Sequence, residues 1–97
     1  MDALHTEATD RLFDAILKLE TREDCYALFD DLCTIREVRD LSQRFEVARM
    51  LRDGCSYQEI SQKTGASTAT ICRVNKCINY GSDGYRKVLE RENGEKK

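Results

Sequence analysis

Apolar residues recur along the chain at intervals of three and four, in six segments separated by polar or glycine-containing breaks. From Ala3 to Leu19, residues Leu4, Ala8, Leu12, Ile16 and Leu19 form one stripe that Phe13 and Leu17 widen, which predicts an amphipathic helix. A second helix begins near Arg22, with Thr21 as its cap and Asp24 three places on. Its stripe is Cys25, Leu28, Phe29 and Leu32, at i, i+3, i+4 and i+7. Thr34 followed by Glu37 forms a capping box for a third helix reaching Arg52, about 27 Å long. The apolar positions of that helix, Ile35, Val38, Leu41, Phe45, Val47, Ala48 and Leu51, cover more than one narrow face. Burial on two sides in so short a chain predicts a second chain against it. A central helix surrounded by its own chain is the alternative.

Asp53-Gly54 stops this helix, and Ser56 with Glu59 opens a short fourth one. Gly65 makes a tight turn, and Ser67 caps a fifth helix through Asn79. The stretch "YGSDGY" lacks the spacing of a phosphate-binding loop and reads as a turn. A last helix over 82–91 packs Tyr85, Val88 and Leu89, and 92–97 is a frayed tail. The expected fold is all-α: one domain over 1–97, with dimerisation helices in 1–53, a helix-turn-helix in 55–79 and the C-terminal helix.

The helix-turn-helix reading rests on "SYQEISQKTGASTATICRVNK", Ser56 to Lys76. Two short helices crossing steeply need residue types at fixed offsets. Ile60 must be apolar to pack inward, and Ser61 small where the second helix crosses. Gly65 takes the turn, while Ala66, Ile71 and Val74 pack the second helix onto the first. An ordinary helical hairpin is the plainer alternative. In a helix-turn-helix the second helix enters the major groove with its N-terminal residues at base edges. Those are Ser67, Thr68 and Ala69, so readout uses hydroxyls and methyls, Thr68 or Ala69 against a thymine methyl for example. Thr70 reaches a base or a phosphate, and Cys72, Arg73 and Lys76 lie farther along. Gln58, Lys63 and Lys76 are candidate phosphate contacts, which position without specifying. Each has a plain solvated role as its alternative.

Charge sharpens this picture. The chain of 97 residues has a formal net charge of -2, which by itself does not mark a nucleic-acid binder. Yet residues 1–33 hold nine Asp/Glu against three Lys/Arg, whereas 34–97 hold nine against thirteen. A polyanion therefore meets the second half. The start "MDALHTEATD" is acidic and polar, and no apolar run approaches the roughly 18 residues of a membrane span, so the expectation is a cytoplasmic protein without membrane contact. Five cysteines without a CxxC pair, and a lone His5, predict free thiols, most of them buried, and no metal site. No acid-base pair supplies a general base, so an enzyme is not expected. Cys72 and Cys77 lie near Arg73 and Lys76, and positive charge lowers a thiol pKa, so a redox role stays open.

The stretch "LRDGCSYQEISQKTGASTATICR", with the helix "REVRDLSQRFEVARML" upstream, resembles the Trp repressor family, and the likeness covers residues 34–91. The short chain resembles the Trp-repressor-related branch of the YerC/YecD type. The resemblance implies an all-helical chain intertwined through its N-terminal helices into a homodimer, with a reading head on each side. It also implies a ligand site. In the family two arginines sandwich an indole ring, and Arg44 and Arg73 match them, while Thr34 matches a ligand-contacting threonine. The pairing is sensible, because guanidinium planes stack on aromatic faces and pair with carboxylates. The family has glycine after the second arginine, where this chain has Val74, and a ligand-contacting serine at Cys77. Three extra carbons stand where the ring approaches the backbone. The expectation is therefore a sequence-specific regulator of double-stranded DNA, a repressor that does not require tryptophan, with no cofactor and a small effector left open. A helical dimeric protein-interaction module is the other reading.

Overall fold

A computed structural model of the chain describes residues 2–95, and side chains over 3–93. Among the described residues, a short 3-10 turn at Asp2–Leu4 precedes six helices: α1 (Glu7–Ile16), α2 (Arg22–Leu32), α3 (Ile35–Arg52), α4 (Tyr57–Thr64), α5 (Thr68–Tyr80) and α6 (Gly84–Glu95). No strand occurs among them.

Local hydrogen bonding sets most of the boundaries. The orphan N–H groups of a first turn need acceptors, and short hydroxyl side chains supply them. Thr6, in extended backbone, accepts from the Thr9 N–H, so α1 starts inside the stripe that begins at Ala3. It also ends early, because Lys18 and Leu19 turn back onto Ala15 and Ile16 with i→i+3 bonds. Thr21 caps α2 by accepting from Asp24 N–H at 3.0 Å. Two reciprocal boxes form as the sequence predicts. Thr34 Oγ1 accepts from Glu37 N–H at 3.1 Å while Glu37 Oε1 accepts from Thr34 N–H at 2.8 Å. Ser56 and Glu59 repeat the exchange at 3.2 and 3.0 Å.

The chain divides after Val38 into two compact units, with α3 running through the division. The first unit contains no buried side chain over 3–38: Leu17 is 81% exposed, Tyr26 71% and Ile35 68%. Its apolar stripes have no core of their own.

The second unit has one. Val47, Ala48 and Met50 of α3, Ile60 of α4, Ala66 of the turn, Ile71 and Val74 of α5 and Leu89 of α6 are buried together. Phe45, Leu51, Cys55, Ile78 and Tyr85 pack against them, with the Phe45 and Tyr85 rings 6.3 Å apart and tilted by 34°. α3 closes in a Schellman turn: Cys55 N–H donates to Met50 C=O and Gly54 N–H to Leu51 C=O, with Gly54 at φ 83°.

α6 differs from the expected 82–91. It starts at Gly84, after Asp83 in the left-handed region at φ 66°, and runs through residues expected as tail to Glu95. The cause is Glu92, whose carboxylate accepts from Arg49 Nη1 at 2.6 and 2.7 Å, with Arg52 Nη1 3.9 Å away. Both arginines lie in the last turn of α3, so this half-buried pairing fixes α6 to it. Lys96 and Lys97 of the expected tail lie outside the described residues. On α6, Leu89 is buried and Tyr85 half-buried as expected, but Val88 faces outward. The cysteines also depart from expectation. All five are free thiols, but Cys25, Cys72 and Cys77 are exposed and Cys33 and Cys55 half-buried: Cys25 lies in the unit that buries no side chain over 3–38, and Cys72 and Cys77 lie off the buried arc of α5.

Candidate nucleic-acid interface

α4, the turn 65–67 and α5 form one rigid corner. Thr64 makes it so: its hydroxyl donates to Ile60 C=O at 2.7 Å and accepts from Ala66 N–H at 3.1 Å. Gly65 caps α4 in the left-handed region, φ 75° and ψ 4°, with its N–H on Ser61 C=O. A non-glycine residue there would be strained. From α3, Gln43 Nε2 donates to Thr64 C=O at 3.1 Å, a contact 21 residues apart that no sequence pattern announces. Ser67 then caps α5 by accepting from Thr70 N–H at 3.2 Å.

The core divides α5 into two faces. At roughly 100° per residue, Ile71, Val74 and Ile78 fall within an arc of about 60°. The first two are fully buried and the third half-buried. On the opposite side, Thr68, Cys72, Lys76, Ala69 and Arg73 span an arc of about 140°, and all five are exposed. The six packing constraints are met: Ile60, Ala66, Ile71 and Val74 are buried, Ser61 is half-buried and Gly65 turns. Ser67 is exposed and Thr70 half-buried, and their hydroxyls bond to each other at 3.1 Å. Gln58 and Lys63 are exposed on α4. Lys63 is near enough to Glu59 to contribute to holding its carboxyl below the ordinary 4.5, after the larger effect of the Ser56 N–H and hydroxyl.

Two features at the far end of α5 escaped the sequence pattern. An added Cβ on Gly81 would meet the carbonyl oxygen of Cys77, which the Gly81 N–H already bonds, so only glycine fits this stop. Arg86 Nε donates to Ile78 C=O at 2.8 Å, joining α6 to the last turn of α5.

Of the residues matched to a ligand site, Thr34 belongs to the first unit and its hydroxyl and N–H are both engaged by Glu37. Arg44 is half-buried on α3 and Arg73 exposed on α5. Val74, 1% exposed, is a member of the core. No group of three or more His, Cys, Asp or Glu among the described residues is placed to hold a metal ion. No described helix is long and apolar enough to cross a membrane.

A capped α4, a left-handed glycine turn and an α5 with one face in the core and one in solvent define a helix-turn-helix protein. The sequence profile of the Trp repressor protein family matches residues 7–93, and the chain belongs to that family. It is 55% identical over 91 residues to the uncharacterized protein YerC of Bacillus subtilis (strain 168), spanning 94% of this chain and 88% of that protein. A crystal structure of a candidate Trp repressor from Staphylococcus aureus superposes with a TM-score of 0.91 at 52% identity, over 95% of this chain and 92% of that one. A TrpR-like protein from Eubacterium eligens gives 0.93 at 54% identity, over 96% of each chain.

Proposed function

We propose that the chain is a cytoplasmic, homodimeric regulator that binds double-stranded DNA through its helix-turn-helix, represses transcription, and does so without tryptophan. The observation that carries this reading is the division of α5: one face is sealed into the core, and the other presents small groups followed by Arg73 and Lys76. In this reading Thr68, Ala69, Cys72 and Arg73 meet base edges. Gln58, Lys63, Thr70 and Lys76 hold phosphates, and Ser67 holds the helix start. Residues 1–53 form the dimer. The unburied apolar stripes of α1 and α2 and the exposed Ile35 and Leu41 support that role, since such surface is stable against a second copy. Independence from tryptophan is supported by Val74, a core residue where the family has glycine.

The test is Arg73→Ala with Lys76→Ala, measured by gel shift on genomic fragments across a salt series and by sedimentation. The expected result is loss of DNA retention with an intact dimer, and, where binding persists, a salt slope shallower by about one per protomer, for the phosphate contact of Lys76, with relaxed specificity at the base Arg73 meets. Unchanged retention would favour a protein-docking role for the same surface. Absence of any sequence preference at every salt concentration would refute DNA recognition.

A further inference from the structure

We infer that the N-terminal half of the α5 outer face reads a thymine in each half-site through its 5-methyl group, with Ala69 and Cys72 as the contact and Thr68 beside them. The inference rests on the DNA-binding reading and names the base chemistry that reading leaves open.

The first polar groups of α5 serve its cap. Ser67 and Thr70 are the polar groups that sequence pattern offers first. Ser67 accepts from Thr70 N–H and bonds the Thr70 hydroxyl, and Thr70 is half-buried. The cap and the mutual bond take one of their two O–H donors and two of their four acceptor sites, so a single hydroxyl hydrogen is left between them. The first turn also carries no acidic side chain, and none of Thr68, Ala69 or Thr70 is basic. What remains outward there is Thr68, Ala69 and Cys72, all exposed.

These three are neighbours on the helix. Ala69 and Cys72 are three apart and Thr68 and Cys72 four apart, the spacings that bring side chains together on one face. The result is a shallow patch of one methyl, one sulfur and one β-branched methyl, with a single hydroxyl at its edge. Free cysteine behaves as a small hydrophobe with a weak donor. In the major groove, base edges offer hydrogen-bond donors and acceptors, except for one apolar feature, the C5 methyl of thymine. A patch without strong donors discriminates on that feature. The strong donors come one turn later, at Arg73 and Lys76, where the face turns cationic.

The experiment starts from an operator selected in vitro with the full-length protein. Each thymine is then replaced singly by deoxyuridine, which removes the methyl and leaves pairing intact. The expected result is one thymine per half-site whose replacement weakens binding about fourfold, the factor carried by one buried methyl group. Ala69→Gly and Cys72→Ser, each checked for intact helicity, should bring the thymine-to-uracil ratio toward one. If specific binding persists while every deoxyuridine substitution is neutral, the methyl readout is wrong and the DNA-binding reading stands. If a sensitive thymine exists but both variants keep its full effect, the assignment to Ala69 and Cys72 is wrong. If no sequence-specific binding occurs, both are wrong.

Discussion

Replacing Val74 by glycine tests the link between core packing and ligand independence. Val74 is 1% exposed and lies in the cluster with Val47, Ile60 and Ile71. Removing three buried carbons forfeits about 2.4 kcal/mol at ~0.8 kcal/mol each. Glycine in a helix interior adds roughly 0.5 kcal/mol over valine. The expected loss is thus about 3 kcal/mol per protomer, reduced by whatever collapse the site allows. At about 4–8 °C per kcal/mol for a domain of this size, the midpoint falls by roughly 12–24 °C. Thermal and urea unfolding by circular dichroism, at one fixed protomer concentration, measures this, since dimer stability depends on concentration. A second arm adds L-tryptophan. The glycine variant, with the slot opened, should be raised by tryptophan, by up to about 2.7 kcal/mol at a hundredfold excess over its Kd. The unaltered protein should not respond. A cost below about 1 kcal/mol for Val74→Gly would refute the packing role of Val74, and a rise in the midpoint of the unaltered protein with tryptophan would refute ligand independence.

Two further outcomes follow from the turns and caps. Gly65→Ala meets no atom within 4 Å of the added Cβ but sits at φ 75°, so its cost of about 1–2 kcal/mol is conformational alone; a neutral urea midpoint would contradict the left-handed turn. Glu37 and Glu59 are held below their ordinary 4.5 chiefly by the backbone N–H groups of Thr34 and Ser56, and Asp24 below 3.8 chiefly by that of Glu20. Lowered folded values mean that the unfolded chain takes up protons first, so this stability is whole above about pH 5 and is lost as pH falls through the folded values. Midpoints recorded from pH 7 to 3 should show that decline, and Glu37→Gln with Glu59→Gln, which keep a capping acceptor, should flatten it.

What was legible in the sequence was local. Thr34 with Glu37 and Ser56 with Glu59 are three residues apart, so both capping boxes announce themselves. The inward set Ile60, Ala66, Ile71 and Val74 follows helical period around one glycine. The features that stayed hidden join distant or ambiguous residues. Glu92 meets Arg49 across 43 residues, within a polar stretch that resembles a tail. Asp83 in the left-handed region gives no pattern of its own and moves the start of α6. Apolar spacing over Ala3–Leu19 does not register that the Thr6 hydroxyl, rather than the stripe, chooses where α1 begins. Cysteine type favours burial on average, but on α5 the helical period turns Cys72 and Cys77 outward regardless.

Val74 also bears on how such a regulator can be controlled. In the proposed reading Val74 is a core residue where the family has glycine, so DNA binding does not follow the tryptophan pool. Control then passes to dose. For the homodimer proposed above, while free protomers outnumber dimers, occupancy of a two-fold operator grows with the square of protomer concentration, so synthesis and degradation of the chain would set the response and dimerisation its sharpness.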